Sequence, residues 1–260
     1  VMGALQEDFS RITLNIAYEV LSRAGVDPLK PPGKLNATEV EAVFRSIQSV
    51  KIMAPPTNCL SPIGEALITA SLSNRAQPEF CVATSRSPEV YRGNPFRVEV
   101  GLAYGGNLPG EELAEVLRFA NRVPLLYQQS SCAILKSVIQ TDWKKYGLQQ
   151  ARGALPSGPL LLFAHVASVW VPFTSESKEA IAHYPEIIRE FKLAFQECGR
   201  KLGSYLRARR RAHDEEKKRL YIEKYIPHVG AALREILGFS EAKEIEVNET
   251  LKDILKKSRQ

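Results

Sequence analysis

Nowhere in the 260 residues do 18 apolar residues run together, so the sequence offers no membrane-spanning helix. The longest apolar stretch, from Pro159 to Val171, is interrupted by His165 and Ser168 and predicts a buried strand. The opening residues, Val1 to Asp8, have neither a basic n-region nor an apolar h-region, so no signal peptide is expected and the chain is read as soluble and cytoplasmic. Cysteine is sparse: Cys59, Cys81, Cys132 and Cys198 lie far apart and form no C-x-x-C pair. Free thiols are expected and a metal site is not. Also missing are the G-x-x-x-x-G-K-[ST] loop, the G-x-G-x-x-G turn, the G-x-S-x-G elbow and the H-E-x-x-H helix. His165, His183, His213 and His228 are scattered, and His165 in its apolar strand reads as a satisfied core residue. No catalytic residue is expected, and these absences together point to a binding or coupling part.

What is present is ordinary globular composition, 44% hydrophobic and 25% charged, in a length that suits about two domains. The net charge of +6 is uneven: residues 186–260 carry 18 Lys+Arg against 13 Asp+Glu and supply most of it. A basic tail on a near-neutral body suits an acidic partner such as nucleic acid. Charge alone, however, favours the plainer reading of a solvated helix surface, where Lys and Glu mix freely.

Periodicity divides the chain into four parts. Leu5, Phe9, Ile12, Ile16, Val20 and Leu21 recur at helical spacing, with Gly25 as a C-cap. Thr38 and Glu41 form a capping-box pattern for a second helix. Met53-Ala54-Pro55-Pro56 breaks it, and Ser61-Pro62 opens another helix through Leu72. Residues 1–75 are therefore an all-helical unit. Residues 76–184 turn to strands: Phe80–Ser85, Phe96–Tyr104, an alternating run over Leu117–Leu125 and the apolar run Leu160–Trp170. Pro88–Pro95 reads as a hairpin loop and Ser131–Ile139 as a helix. The fold class is α+β. Residues 185–226 form one long stalk helix, about 60 Å at 1.5 Å per residue, stopped by Pro227. Residues 227–260 form a helical tail.

Three local features stand out. Trp143, Lys144, Lys145 and Tyr146 interleave aromatics with lysines, a pattern that can grip nucleic acid by stacking and phosphate contact. On composition alone, a Trp capping the core beside snorkelling lysines is the stronger reading. Thr174-Ser175-Glu176-Ser177-Lys178-Glu179 is a polar loop whose lysine could reach a phosphate; the plain alternative is a surface N-cap. Arg207, Arg209, Arg210 and Arg211 could touch DNA or another protein chain, or keep a stalk soluble.

At these residues the chain resembles a family. Ala54-Pro55-Pro56-Thr57-Asn58-Cys59-Leu60-Ser61-Pro62-Ile63-Gly64, Arg118-Phe119-Ala120-Asn121-Arg122-Val123-Pro124-Leu125-Leu126-Tyr127 and Val171-Pro172-Phe173-Thr174-Ser175-Glu176-Ser177-Lys178-Glu179-Ala180-Ile181-Ala182 match the C-terminal part of the B subunits of topoisomerase VI, the ATPase subunits of type IIB DNA topoisomerases. Trp143, Lys144 and Tyr146 fit that family's W-K-x-Y element, and the resemblance covers about residues 1–225. It implies a helix-two-turns-helix domain followed by a transducer domain with a left-handed β-α-β crossover, against the usual handedness. It also implies that Lys178 contacts the γ-phosphate of ATP, that Trp143, Lys144 and Tyr146 contact duplex DNA, and that the stalk packs on the DNA-cleaving A subunit. A second B subunit would join on ATP binding, giving an A2B2 enzyme, nucleoid-associated in an archaeon or nuclear in a eukaryote. The GHKL ATP-binding domain, which would hold Mg2+, has no counterpart in these residues. The chain is thus expected to be a fragment or a split-gene product, inactive alone, with the opening on Val1 leaning to a fragment. The other function class is a scaffold without ATPase activity that binds DNA and an A-type cleaving subunit.

Overall fold

The computed structural model describes residues 1–53 and 55–257. Ala54, in the Pro-rich break and the first matching stretch, lies outside the described residues, as do the last three residues of the tail. The chain forms two compact units, residues 1–144 with 148–199, and residues 145–147 with 200–260.

The first unit begins with helices α1 (Met2–Asp8), α2 (Leu14–Ala24) and α3 (Ala37–Ser49). They enclose Leu5, Ile12, Ala17, Val20, Leu21, Val26, Val43 and Val50. The stripe from Leu5 to Leu21 predicts one helix, but Arg11 at φ 67° breaks it in two and leaves Phe9 exposed. Gly25 caps α2 as expected, at φ 65°, donating to the carbonyls of Leu21 and Ser22. The capping box sits two residues earlier than Thr38. Asn36 Oδ1 accepts from the Glu39 N–H at 2.8 Å, and the Glu39 carboxylate accepts from the Asn36 N–H at 3.0 Å. Lys30 Nζ binds the same carboxylate at 2.6 and 2.7 Å, which fixes the preceding loop and favours this register over the one at Thr38.

Helix α4 (Glu65–Ala76) is read from the sequence as part of the helical unit, yet its buried side packs on the sheet. Ile68, Leu72 and Ala76 meet Ala83, Ala103, Leu161 and Phe163. Gly101 permits this approach: a Cβ there would lie 2.5 Å from Ile68 Cγ2 and 2.6 Å from Leu72 Cδ1.

The strands are β1 (Phe80–Ser85), β2 (Glu89–Tyr91), β3 (Asn94–Tyr104), β4 (Glu115–Ala120), β5 (Val123–Pro124), the short pair β6 (Gln149–Gln150) and β7 (Pro156–Ser157), and β8 (Leu160–Ser168). The main sheet runs β1-β3-β8-β4-β5, with β2 paired to β3. All its pairs are antiparallel except β4 with β8. Parallel pairing needs a long crossover, and helix α5 (Ala133–Gln140) and the β6–β7 pair lie within it. Pro88–Pro95 is not wholly a loop: β2 and β3 join there through Arg92 and Gly93, at φ 47° and 78°. The alternating run at Leu117–Leu125 is likewise a hairpin, turned at Asn121 and Arg122 with φ 47° and 69°. Two positive φ values in succession suit the right-handed twist of paired strands. All of β8 is buried, as its apolar run predicts.

Facing away from α4, Thr84 Oγ1 donates to Glu197 at 2.7 Å, and Arg86 pairs with Glu190 at 3.0 Å. Both glutamates lie on α6 (Pro185–Leu237), whose first turns bury Ile187, Phe191, Phe195 and Cys198.

In the second unit, α6 does not stop at Pro227. It continues to Leu237 and ends at Gly238, φ 67°, whose N–H donates to Arg234 O at 2.9 Å. Pro227 removes one intrahelical hydrogen bond, and its ring lies exposed on the helix surface. Helix α7 (Glu241–Lys257) turns back, with Glu244 2.8 Å from Arg234 and the Asn248 side chain over Gly230.

Candidate functional site

The segment between β8 and α6 builds a stapled loop. Phe173 and Ile181 pair as an isolated antiparallel bridge, and Ala180 and Ile181 are buried. The Thr174 N–H donates to Ala180 O at 2.9 Å and the Ala182 N–H to Pro172 O at 2.8 Å, closing the base. At the tip the Ser175 and Ser177 hydroxyls lie 2.7 Å apart, and the Lys178 N–H donates to Ser175 O at 3.2 Å. Lys178 is exposed and sits at φ 56°, a left-handed conformation that a side chain with a Cβ rarely adopts. The loop is not an N-cap, since α6 begins only at Pro185. Its construction presents one cation beyond a fixed base.

Trp143 to Tyr146 form a single 3-10 turn after α5. The Trp143 ring is 0% exposed, meets Phe195 edge-on at 6.0 Å, and donates Nε1–H to Val138 O at 2.9 Å. Gln150 holds the turn from outside, accepting from the Trp143 N–H at 3.1 Å and donating to Ile139 O and Ala154 O. Trp143 is thus a core anchor, and Lys144 is the exposed member of the trio within the first unit. Lys144 borders an open cleft of about 420 Å³ shared with Asp142 and Arg152. In the second unit, the Tyr146 backbone lies against Gly203 of α6, where a Cβ would meet Tyr146 Cα at 3.3 Å.

The four arginines on α6 do not share a face. At about 100° per residue, Arg207, Arg210 and Arg211 fall within one arc while Arg209 points away from it. All four are exposed, and Arg207 donates to Ser204 Oγ at 3.0 Å.

A fourth arrangement joins β3, β8, the β4–β5 turn and the start of α4. The register sets Glu99 opposite His165, and His165 opposite Phe119. His165 Nδ1 lies 2.8 Å from Glu99 Oε2, and His165 Nε2 accepts from the Arg122 N–H at 3.0 Å. A ring nitrogen that accepts carries no proton, so His165 is neutral and donates through Nδ1–H. Glu99 also accepts from the N–H groups of Ile63 at 2.7 Å and Gly64 at 2.8 Å, and Arg122 Nη2 donates to Pro62 O at 2.7 Å. Burial alone would raise the Glu99 carboxyl, but the bonds from His165, Ile63 and Gly64 outweigh it and hold its pKa below the usual value. His165 is thus the satisfied core residue that its sequence context predicts. Glu99, set between Val98 and Val100 in β3, is the one sequence signal for the rest.

No group of metal-ligating side chains occurs among the described residues, and none of their helices is long and apolar enough to cross a membrane.

Comparison with known proteins bears on all of these features. Residues 55–218 match the family described as the topoisomerase VI B subunit, transducer. The chain is 47% identical over 233 residues to the B subunit of type 2 DNA topoisomerase 6 from Methanosarcina mazei, 45% over 233 to that of Archaeoglobus fulgidus and 43% over 215 to that of Pyrococcus horikoshii. These matches cover 90%, 90% and 82% of this chain but 38%, 38% and 37% of the relatives, so the chain spans well under half their length. Among solved structures, the B subunit of DNA gyrase from Myxococcus xanthus aligns over 53% of this chain and 43% of its own, at 19% identity and a TM-score of 0.37, too distant to carry an argument. The stapled lysine loop, the Trp143 turn and the first part of α6 all fall inside the matched span, and the chain belongs to the topoisomerase VI B-subunit transducer family.

Proposed function

We propose that this chain is the transducer and coupling segment of a type IIB DNA topoisomerase, linking ATP binding and B-subunit dimerisation to DNA cleavage and strand passage by the A subunit. The observation that carries this reading is the loop of Lys178: a single exposed cation, in a strained backbone conformation, on a base closed by buried residues. Strain at an exposed residue is a cost that a functional constraint explains. A lysine held this way suits contact with the γ-phosphate of ATP and makes the position of the sheet depend on nucleotide state. One cation is not a nucleotide pocket. The remaining contacts and the Mg2+ ion would belong to a GHKL domain, for which Lys178 is the reach from this side.

On the same reading α1–α3 correspond to the helix-two-turns-helix domain, and the β4–β8 crossover is left-handed. Lys144 and Tyr146 contact duplex DNA, while Trp143, fully buried, serves by fixing their turn to the core. The stalk, with Arg207, Arg209, Arg210 and Arg211, docks on the A subunit or touches DNA, giving the A2B2 assembly.

The test is Lys178→Ala in a complete A2B2 enzyme. Strand passage should fall by at least about tenfold, a loss of ~1.4 kcal/mol of transition-state stabilisation, while binding of the A subunit is retained. Strand passage at the unmodified rate would remove the γ-phosphate role and leave a scaffold that binds DNA and the A subunit.

A further inference from the structure

The cleft of about 420 Å³ beside Lys144 is walled by two segments, residues 139–142 with Lys144, and residues 150–153. One side chain sets their separation. The Gln150 amide accepts from the Trp143 N–H at 3.1 Å and donates to Ile139 O at 3.2 Å and Ala154 O at 3.0 Å, so both walls are tied to one group. Trp143 is anchored in the core, so Lys144 leaves its wall from a fixed point. Arg152 leaves the other wall from a tight turn. The Ala154 N–H closes that turn on Ala151 O at 3.1 Å, with Gly153 at φ 72°.

Lys144 and Arg152 are both exposed, and neither forms a hydrogen bond or ion pair with any described residue. The third charge in the cleft is the Asp142 carboxylate, which has an interaction of its own but pairs with neither cation. A single small anion therefore meets two attractions and one repulsion, and is held weakly. A nucleic-acid strand is different. Its backbone brings successive phosphates, so each cation can take its own, and the counterions released add up.

We propose that this cleft seats the sugar-phosphate backbone of duplex DNA, with Arg152 as a second phosphate contact on the wall that faces Lys144. Arg152 extends the DNA contact proposed for Lys144, on which it depends, beyond the W-K-x-Y element. Phosphate contacts carry no base information, so Arg152 raises affinity for every sequence alike.

The experiment is fluorescence anisotropy of the full 260-residue chain with a labelled blunt-ended duplex, at salt from about 50 to 200 mM. Arg152→Gln should weaken binding about five- to tenfold at about 0.1 M salt, and should lower the slope of log K against log salt by about 0.9, the worth of one phosphate contact. Lys144→Gln should do the same, whereas Arg152→Lys, which keeps the charge, should keep the slope. Lys51→Gln removes an exposed charge outside the cleft and should leave the slope unchanged. None of these three side chains bonds to a described residue, so the variants keep the fold. Inorganic phosphate at matched ionic strength should not displace the duplex. If Lys144→Gln weakens binding but Arg152→Gln behaves like Lys51→Gln, the Arg152 contact is overturned and the Lys144 contact stands. If neither cleft substitution weakens binding, both contacts are lost. Displacement by inorganic phosphate would make the cleft a free-anion site and overturn the backbone seat.

Discussion

Glu99 can be ionised inside the protein because its neighbours offset the cost of burying its charge. Three donors converge on its carboxylate, two of them backbone N–H groups at the start of α4, where a negative charge also meets the positive end of a helix dipole. Its lowered pKa has a definite sign for stability. A carboxyl depressed in the folded state contributes stability above its unfolded pKa of about 4.3, and that contribution is lost as pH falls through the folded value. Glu99→Gln removes the charge and leaves the His165 N–H with a weaker acceptor. The expected loss is about 2–4 kcal/mol at neutral pH, the range for breaking a buried charged hydrogen-bond network. The acid limb of the stability profile should flatten as well. Urea unfolding between pH 3 and pH 7 reads both effects, and an unchanged acid limb would mean that the carboxylate is not the titrating group. His165 is legible from the sequence as a core histidine, because an apolar run surrounds it. Its partners are not legible, since β3 and β8 meet only through sheet pairing over more than sixty positions.

At the scale of elements, apolar periodicity marks most helices and strands, and the errors fall where one residue adopts an unusual backbone. Arg11, Asn121, Arg122 and Arg92 all have positive φ without being glycine, so the usual turn chemistry gives no warning at three of them. The first stripe therefore reads as one helix and the β4–β5 hairpin as one strand. Pro227 is the converse case, a residue whose ordinary meaning is a stop but which sits on an exposed helix that tolerates it. The partner of α4 is hidden for another reason: spacing identifies its apolar residues but not what they face. Gly101 is what decides that contact. Gly101→Ala should destabilise the chain by about 1–3 kcal/mol through overpacking against Ile68 and Leu72. Leu72→Ala alone should cost about 2–5 kcal/mol as a cavity. The double substitution should cost clearly less than the sum, because the new methyl enters the space that Leu72 vacates. Strict additivity in denaturant unfolding would show that α4 does not approach the sheet at this glycine.

Over the whole molecule, burial is divided as sharply as charge. The main sheet and its core lie in the first unit, whereas no residue from Arg207 to Tyr225 is buried. That stretch belongs to the basic tail, and the tail is not uniformly polar: Tyr221, Tyr225 and Val229 follow one another at four-residue spacing, and all are exposed. Tyr221 and Tyr225 share a hydroxyl hydrogen bond at 3.1 Å, which raises the Tyr221 pKa and holds the two rings in one patch. An apolar stripe on a solvated helix is what a partner helix or groove would cover. On the proposed function that partner is the A subunit, so deletion and substitution should give the same answer. In size-exclusion with a topoisomerase VI A subunit the intact chain should co-elute, and a chain lacking residues 200–260 should not. Tyr221→Lys combined with Tyr225→Lys should weaken co-elution about tenfold or more while leaving the thermal unfolding of the first unit unchanged, since neither ring is part of its core. If the double substitution elutes like the intact chain, the stripe is not the docking face. If the deletion also co-elutes, docking belongs to the first unit, and the role of α6 as the connecting lever would have to be given up.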